Sequence, residues 1–112
     1  MTVSQLADAL NLEALCGSAE TMDAAVAGGY CGDLLSWVMG RAPEGAAWLT
    51  IMSNPNVAAV ASLGSLSCVI LTEGVRPDTQ LLQRMISEDI PLLRSGEETF
   101  KLAGKIYKLL YA

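Results

Sequence analysis

Val26-Ala27-Gly28-Gly29-Tyr30-Cys31-Gly32-Asp33-Leu34-Leu35-Ser36 sets three glycines, a tyrosine and an aspartate between two apolar runs. Glycine tolerates positive φ and lets a ligand or a second backbone come close. Asp33, just ahead of Leu34 and Leu35, is a good helix N-cap. The stretch therefore predicts a strand over residues 24–27, a glycine turn, and a helix from Asp33 to about Gly40 with Trp37 on a side away from Leu34, Leu35, Val38 and Met39. Such a junction can present free backbone N–H groups to a ligand.

Outward from this junction, strands and helices alternate. Ala47-Trp48-Leu49-Thr50-Ile51-Met52 is apolar on both alternating faces, as an interior strand of a parallel sheet must be. Ser53-Asn54-Pro55-Asn56 starts a helix over residues 57–63, capped by Ser53 or Asn54 with Pro55 in its first turn. That helix is rich in small residues, so it can lie close against a sheet or another helix. A second interior strand covers residues 67–71, and a helix from Asp78 puts Leu81, Leu82, Met85 and Ile86 on one stripe. Residues 90–93 form a short strand in which Pro91 predicts an edge position or a strand start. The last helix carries Phe100, Ala103, Ile106, Tyr107 and Leu110 at spacings of three and four, with Lys105 and Lys108 near its C-terminus. Toward the N-terminus, a helix over residues 2–10 is capped by Thr2 or Ser4 and ended by Asn11; a short strand over 12–16 and a polar break over 17–20 follow. The order implies βαβ units. The expectation is a single layered α/β domain over residues 1–112, with a mostly parallel sheet of about four to five strands flanked by helices.

Composition narrows the function classes. At 52% hydrophobic and 17% charged, 112 residues can fill a core without staples. A net charge of −5 argues against nucleic acid or an anionic membrane surface as partner, since either needs a basic face. The three cysteines, Cys16, Cys31 and Cys68, fit neither a disulfide framework nor a zinc or iron–sulfur site, so no cofactor is expected and a reducing, cytoplasmic location is. No apolar run is long enough to span a bilayer, and the start lacks the basic residues of a signal peptide.

The chemistry-bearing residues are few. There is no phosphate-cradling Gly-x-x-x-x-Gly-Lys-Ser/Thr loop and no histidine, the commonest general base. Cys31 is either a thiol activated by the helix that follows it or a small buried hydrophobe. Tyr30 either bonds or stacks on a ligand or packs over the sheet edge. Ser36 has no base beside it, and no catalytic residue is assigned. The stronger case is collective, because ligands of open parallel sheets bind beyond the carboxyl ends of the strands, near a switch in strand order. Three loops would emerge there, offering Gly28, Gly29, Tyr30, Gly32 and Asp33 from the first, Ser53, Asn54 and Asn56 from the second, and Thr72 and Arg76 from the third. Alternatively, each residue only caps its helix or makes its turn.

Gly28 to Ser36, Trp48-Leu49-Thr50-Ile51, Asn56-Val57-Ala58-Ala59-Val60-Ala61, the loop from Gly74 to Pro77, Ile90-Pro91 and the final helix together resemble the stand-alone DRTGG-domain proteins of anaerobic bacteria. The resemblance spans nearly the whole chain. It implies a fold similar to the N-terminal domain of HPr kinase/phosphorylase and the role of a regulatory, dimerising module with catalysis elsewhere. It also implies a homodimer, a small metabolite or nucleotide as ligand, or a hydrogenase-type redox enzyme as partner. The string that gives the family its name is absent, and the loop in its place reads Ser53-Asn54-Pro55-Asn56. Position 37 carries tryptophan where similar sequences suggest an acid, which marks Trp37, with Val57 and Ala61 of the small-residue helix, as a candidate interface.

Overall fold

The computed structural model describes residues 1–111. Its elements in chain order are α1 (Val3–Leu10), β1 (Glu13–Cys16), α2 (Ala19–Met22), β2 (Gly28–Cys31), α3 (Leu35–Arg41), β3 (Ala46–Thr50), α4 (Asn56–Leu63), β4 (Cys68–Leu71), α5 (Thr79–Ser87), β5 (Leu92–Arg94) and α6 (Thr99–Tyr111). The sheet order is β1-β5-β4-β3-β2, parallel from β2 through β5, with β1 antiparallel at one edge. The α/β class and the mostly parallel sheet are as the sequence predicts.

Strands β2 to β5 lie side by side in chain order, so each right-handed crossover steps the same way. Helices α3, α4 and α5 consequently share one face, where Val38, Val57, Ala61, Leu81 and Met85 pack on Trp48, Val69, Leu71 and Leu92. Helices α1 and α6 cover the other face through Val3, Leu6, Leu102 and Ile106, over Ala47, Leu49, Cys68, Ile70 and Leu93. Strands β3 and β4 are buried along their whole length. The small residues of α4 serve this packing: with alanine at 58, 59 and 61, it fits between α3 and α5.

Local chemistry sets the element ends. The Thr2 hydroxyl accepts from Gln5 N and the Gln5 side chain from Thr2 N, a full capping box, while Asn11 closes α1 in the left-handed region at φ 53°. The β4–α5 loop reverses through Glu73 and Gly74, at φ 59° and 75°.

Three expectations are corrected and a fourth is narrowed. The strand is not residues 24–27 but Gly28–Cys31 itself; glycine is disfavoured inside strands, and this one is an edge strand whose partner β3 supplies the regular half of the ladder. Asp33 does not cap α3, whose N-cap is Leu34 with no side-chain hydrogen bond. Residues 17–20 are not merely a break: Ser18 caps the short helix α2 and is held by Asp89. Of the two places that Pro91 allowed, the strand start is observed and the edge is not: it stands just before β5, which is interior between β4 and β1.

Candidate functional site

Four loops leave the carboxyl ends of the parallel strands, and their polar groups are largely spent on one another. Trp48 Nε1 donates to Gly32 O at 2.8 Å, and Asp33 Oδ1 accepts from Thr50 Oγ1 at 2.8 Å and from Ile51 N at 3.0 Å. Asn54 Oδ1 accepts from Asn56 N at 2.9 Å, the local turn bond that leads into α4. Asp78 N donates to Ser53 O, joining the second loop to the third. Thr72 is fully buried, and its hydroxyl meets that of Thr99 at 2.6 Å. Arg94 donates to Val75 O and Gly74 O, and Thr99 N to the Glu73 carboxylate, joining the third loop to the fourth.

Of the sequence-predicted loop residues, Gly29, Asp33, Asn56 and Arg76 are exposed, Tyr30, Gly32, Ser53 and Asn54 half-buried, and Gly28 and Thr72 buried. Thr72 offers no free hydroxyl. The parallel strands run in unbroken order, so the switch in strand order that would open a crevice between these loops is missing. Val57 and Ala61, proposed as interface, are buried in the core. Trp37 is where the sequence put it, half-exposed on α3, with the Arg41 guanidinium 3.7 Å above its ring, a cation–π pair.

One opening lies beside these loops, between edge strand β2 and helix α6. A cleft of about 220 Å³ is lined by Gly29, Tyr30 and Cys31, by Leu49 beneath, and by Ile106, Tyr107 and Tyr111 among the α6 residues. Its origin is the strand alternation. The register pairs Gly29 with Ala47 and Cys31 with Leu49, whose side chains face α1 and α6, whereas Tyr30 pairs with Trp48 and packs toward the opposite cluster. Where α6 passes β2, Gly29 has no side chain to meet it. A Cβ built on Gly29 would come no nearer than 3.8 Å to another atom, Ala47 O, so the space is real and fillable. Gly28 does a different job: a Cβ there would sit 3.1 Å from Tyr111 Oη, so its lack of side chain lets α6 end against the strand. Tyr107 and Tyr111, one turn apart, set their rings 4.8 Å centre to centre at 48°.

None of the cleft's lining residues is a lysine, arginine, aspartate or glutamate. Partial burial, and secondarily the Asp33 carboxylate, pushes the Cys31 thiol up from its ordinary value, which speaks against the activated-thiol alternative, and α3 starts four residues further on; nor is Cys31 the small buried hydrophobe of the other reading, since it is exposed. Burial pushes the Cys68 thiol up to about 12. Among the described residues, no group of three or more His, Cys, Asp or Glu could hold a metal ion, and no helix is long and apolar enough to cross a membrane. The arrangement can hold a molecule by shape, ring contact and backbone hydrogen bonds. Sequence reasoning placed Tyr107 on the inward stripe of α6, yet it is 67% exposed; the signal for the cleft was the Tyr107/Tyr111 spacing combined with a glycine pair.

No curated protein matches the sequence. Among solved structures, the chain is similar to the regulatory region, CBS and DRTGG domains, of Clostridium perfringens pyrophosphatase, crystallised with its activator diadenosine tetraphosphate. The superposition has a TM-score of 0.75 at 14% identity and covers 92% of this chain but 44% of that one, so the likeness is one of fold and spans under half of that region. The profile of the DRTGG domain matches residues 5–109, nearly the full length, and the chain therefore belongs to the DRTGG-domain family.

Proposed function

We propose that this chain is a non-catalytic regulatory module that senses a small molecule in the cytoplasm and acts as a homodimer. The observation that carries the reading is the cleft between β2 and α6, the place where the packed domain leaves room bounded by rings and strand backbone. The regulatory role of the pyrophosphatase region that shares this fold supports it. Gly29 and Tyr30 belong to the ligand's immediate surroundings in this reading, while Gly32, Asp33, Ser53, Asn54, Asn56 and Arg76 form the neighbouring loop row, outside its contacts. The test is a thermal-shift screen of the purified protein against nucleotides, nucleosides and phosphorylated metabolites. A ligand at 100 times its dissociation constant stabilises a native-only binder by about 2.7 kcal/mol, and a hit that depends on residue 29 supports the reading. A silent panel overturns it.

A second reading is favoured by Trp37 and Arg41: an assembly protein that docks on a redox enzyme of hydrogenase type through the exposed face of α3. Exposed aromatic and arginine pairs are typical anchors of interfaces. Here Trp37→Asp abolishes the complex and leaves any small-molecule response intact.

A further inference from the structure

We infer that the β2/α6 cleft takes an uncharged planar heteroaromatic ring, with the size and hydrogen-bonding character of a nucleobase, and that any phosphate attached to that ring stays outside it. The inference rests on the ligand-sensing reading above and names the chemistry of the same site. Three observations carry it.

The first is size. At about 220 Å³ the cleft is smaller than the roughly 300–1,000 Å³ that hold drug-sized ligands, so one ring system fits where a whole nucleotide does not. The second is charge. With no ionised residue on the lining, an anion inside would lose its hydration without gaining a partner. Lys105 and Lys108 line a separate groove with Ala9, Leu10 and Leu109, and Lys105 is paired with Glu97. The third is shape and polarity. Gly29 gives a flat floor of bare peptide, and the tilted Tyr107 and Tyr111 rings give a wall on which a ring can stack. Because β2 is the outermost strand, alternate residues turn a backbone N–H and C=O outward with no partner strand, a donor and acceptor side by side along the rim. A heteroaromatic ring with its own adjacent donor and acceptor satisfies both.

The test uses the whole chain and a graded series: adenine, adenosine, adenosine mono-, di- and triphosphate, and inorganic tripolyphosphate, each titrated by calorimetry. The expected result is binding by the base and nucleoside, affinity changing less than about tenfold as phosphates are added, and no binding of tripolyphosphate. Gly29→Leu, which fills the floor, and Tyr107→Ala, which removes an exposed wall, each weaken adenosine by more than about tenfold. Arg76→Ala leaves it unchanged. Gly29→Ala, whose Cβ has room, serves as the milder variant should the leucine disturb folding. Affinity that climbs steeply with phosphate number, or tripolyphosphate binding alone, overturns the ring assignment while leaving the sensing reading standing. Undiminished adenosine binding by Gly29→Leu and Tyr107→Ala does the same. A Gly29→Leu chain that loses its dimer, with no ring compound bound by the wild type, shows the cleft to be filled by a second copy and overturns the inference. Silence from this series and from every other metabolite removes both.

Discussion

The loop row at the carboxyl ends of the strands and the cleft at the β2 edge both contain glycines of the same stretch, Gly32 in the one and Gly29 in the other, yet they are built in opposite ways. In the loop row most polar groups find an internal partner: Trp48 with Gly32, Asp33 with Thr50 and Ile51, Thr72 with Thr99, Arg94 with the Gly74–Val75 carbonyls. In the cleft, a missing side chain at Gly29 leaves a void that none of the described residues fills. The lesson is that turn-forming residue types mark where the chain bends. Where a ligand can enter depends on where packing stops.

The sharpest way to break this contrast is to attack the anchor of the closed region. Trp48 is fully buried and bonds the Gly32 carbonyl, so Trp48→Ala should cost about 3–5 kcal/mol in denaturant unfolding. A cost below about 1 kcal/mol would show the loop row to be loosely held. Next comes Asp33→Ala, which strands the buried Thr50 hydroxyl and the Ile51 N–H; about 1–3 kcal/mol is expected. A fully stable Asp33→Ala chain with altered ligand response would make the aspartate a binding residue instead of a brace.

The two glycines of β2 sharpen the contrast further. Gly28→Val should destabilise the fold because Tyr111 must move, by about 1–3 kcal/mol in denaturant unfolding as ordinary overpacking does. Gly29→Leu should change stability by less than about 1 kcal/mol, since it enters empty space. Equal effects would mean that the cleft is not open in solution.

Thiol chemistry gives a smaller effect. Cys31 should react slowly with alkylating reagents near neutral pH and faster as pH rises, because burial and Asp33 hold its thiol protonated; native Cys68 should stay unreactive. Rapid labelling of Cys31 at pH 7 would restore the activated-thiol alternative. Smallest is the acid limb of stability. Hydrogen bonds from Ser18 lower the Asp89 carboxyl in the folded chain. A depressed folded value gives stability that is present above the unfolded value, about 3.9, and lost as pH falls through the folded one. Asp89→Asn should therefore flatten the pH dependence of the melting temperature below about pH 4, lying slightly under the wild type at neutrality and converging with it in acid.

Much of the fold was legible. The doubly apolar runs around Trp48 and Val69 announced interior parallel strands, and Thr2, Asn11, Asp78 and Gly64 marked helix ends close to their observed places. The β2 strand was misplaced because Gly28 and Gly29 carry no strand preference of their own; only pairing with Ala46 and Ala47 makes them one. The site was less legible still. That Asp33 reaches Thr50 instead of capping a helix, and that Thr72 faces Thr99, are consequences of strand neighbours in space. The cleft needs Gly29 and Tyr107 brought together from 78 positions apart, which no local pattern encodes.

The most direct test of the central claim is an amide chemical-shift map of the isotopically labelled protein, titrated with whichever ligand stabilises it most. The account predicts that the largest shifts fall on Gly29, Tyr30 and Cys31 of β2 and on α6 around Tyr107, with Asn54, Asn56 and Arg76 nearly still. Shifts centred on those three loop residues, with β2 and α6 unmoved, would contradict it and return the site to the ends of the strands.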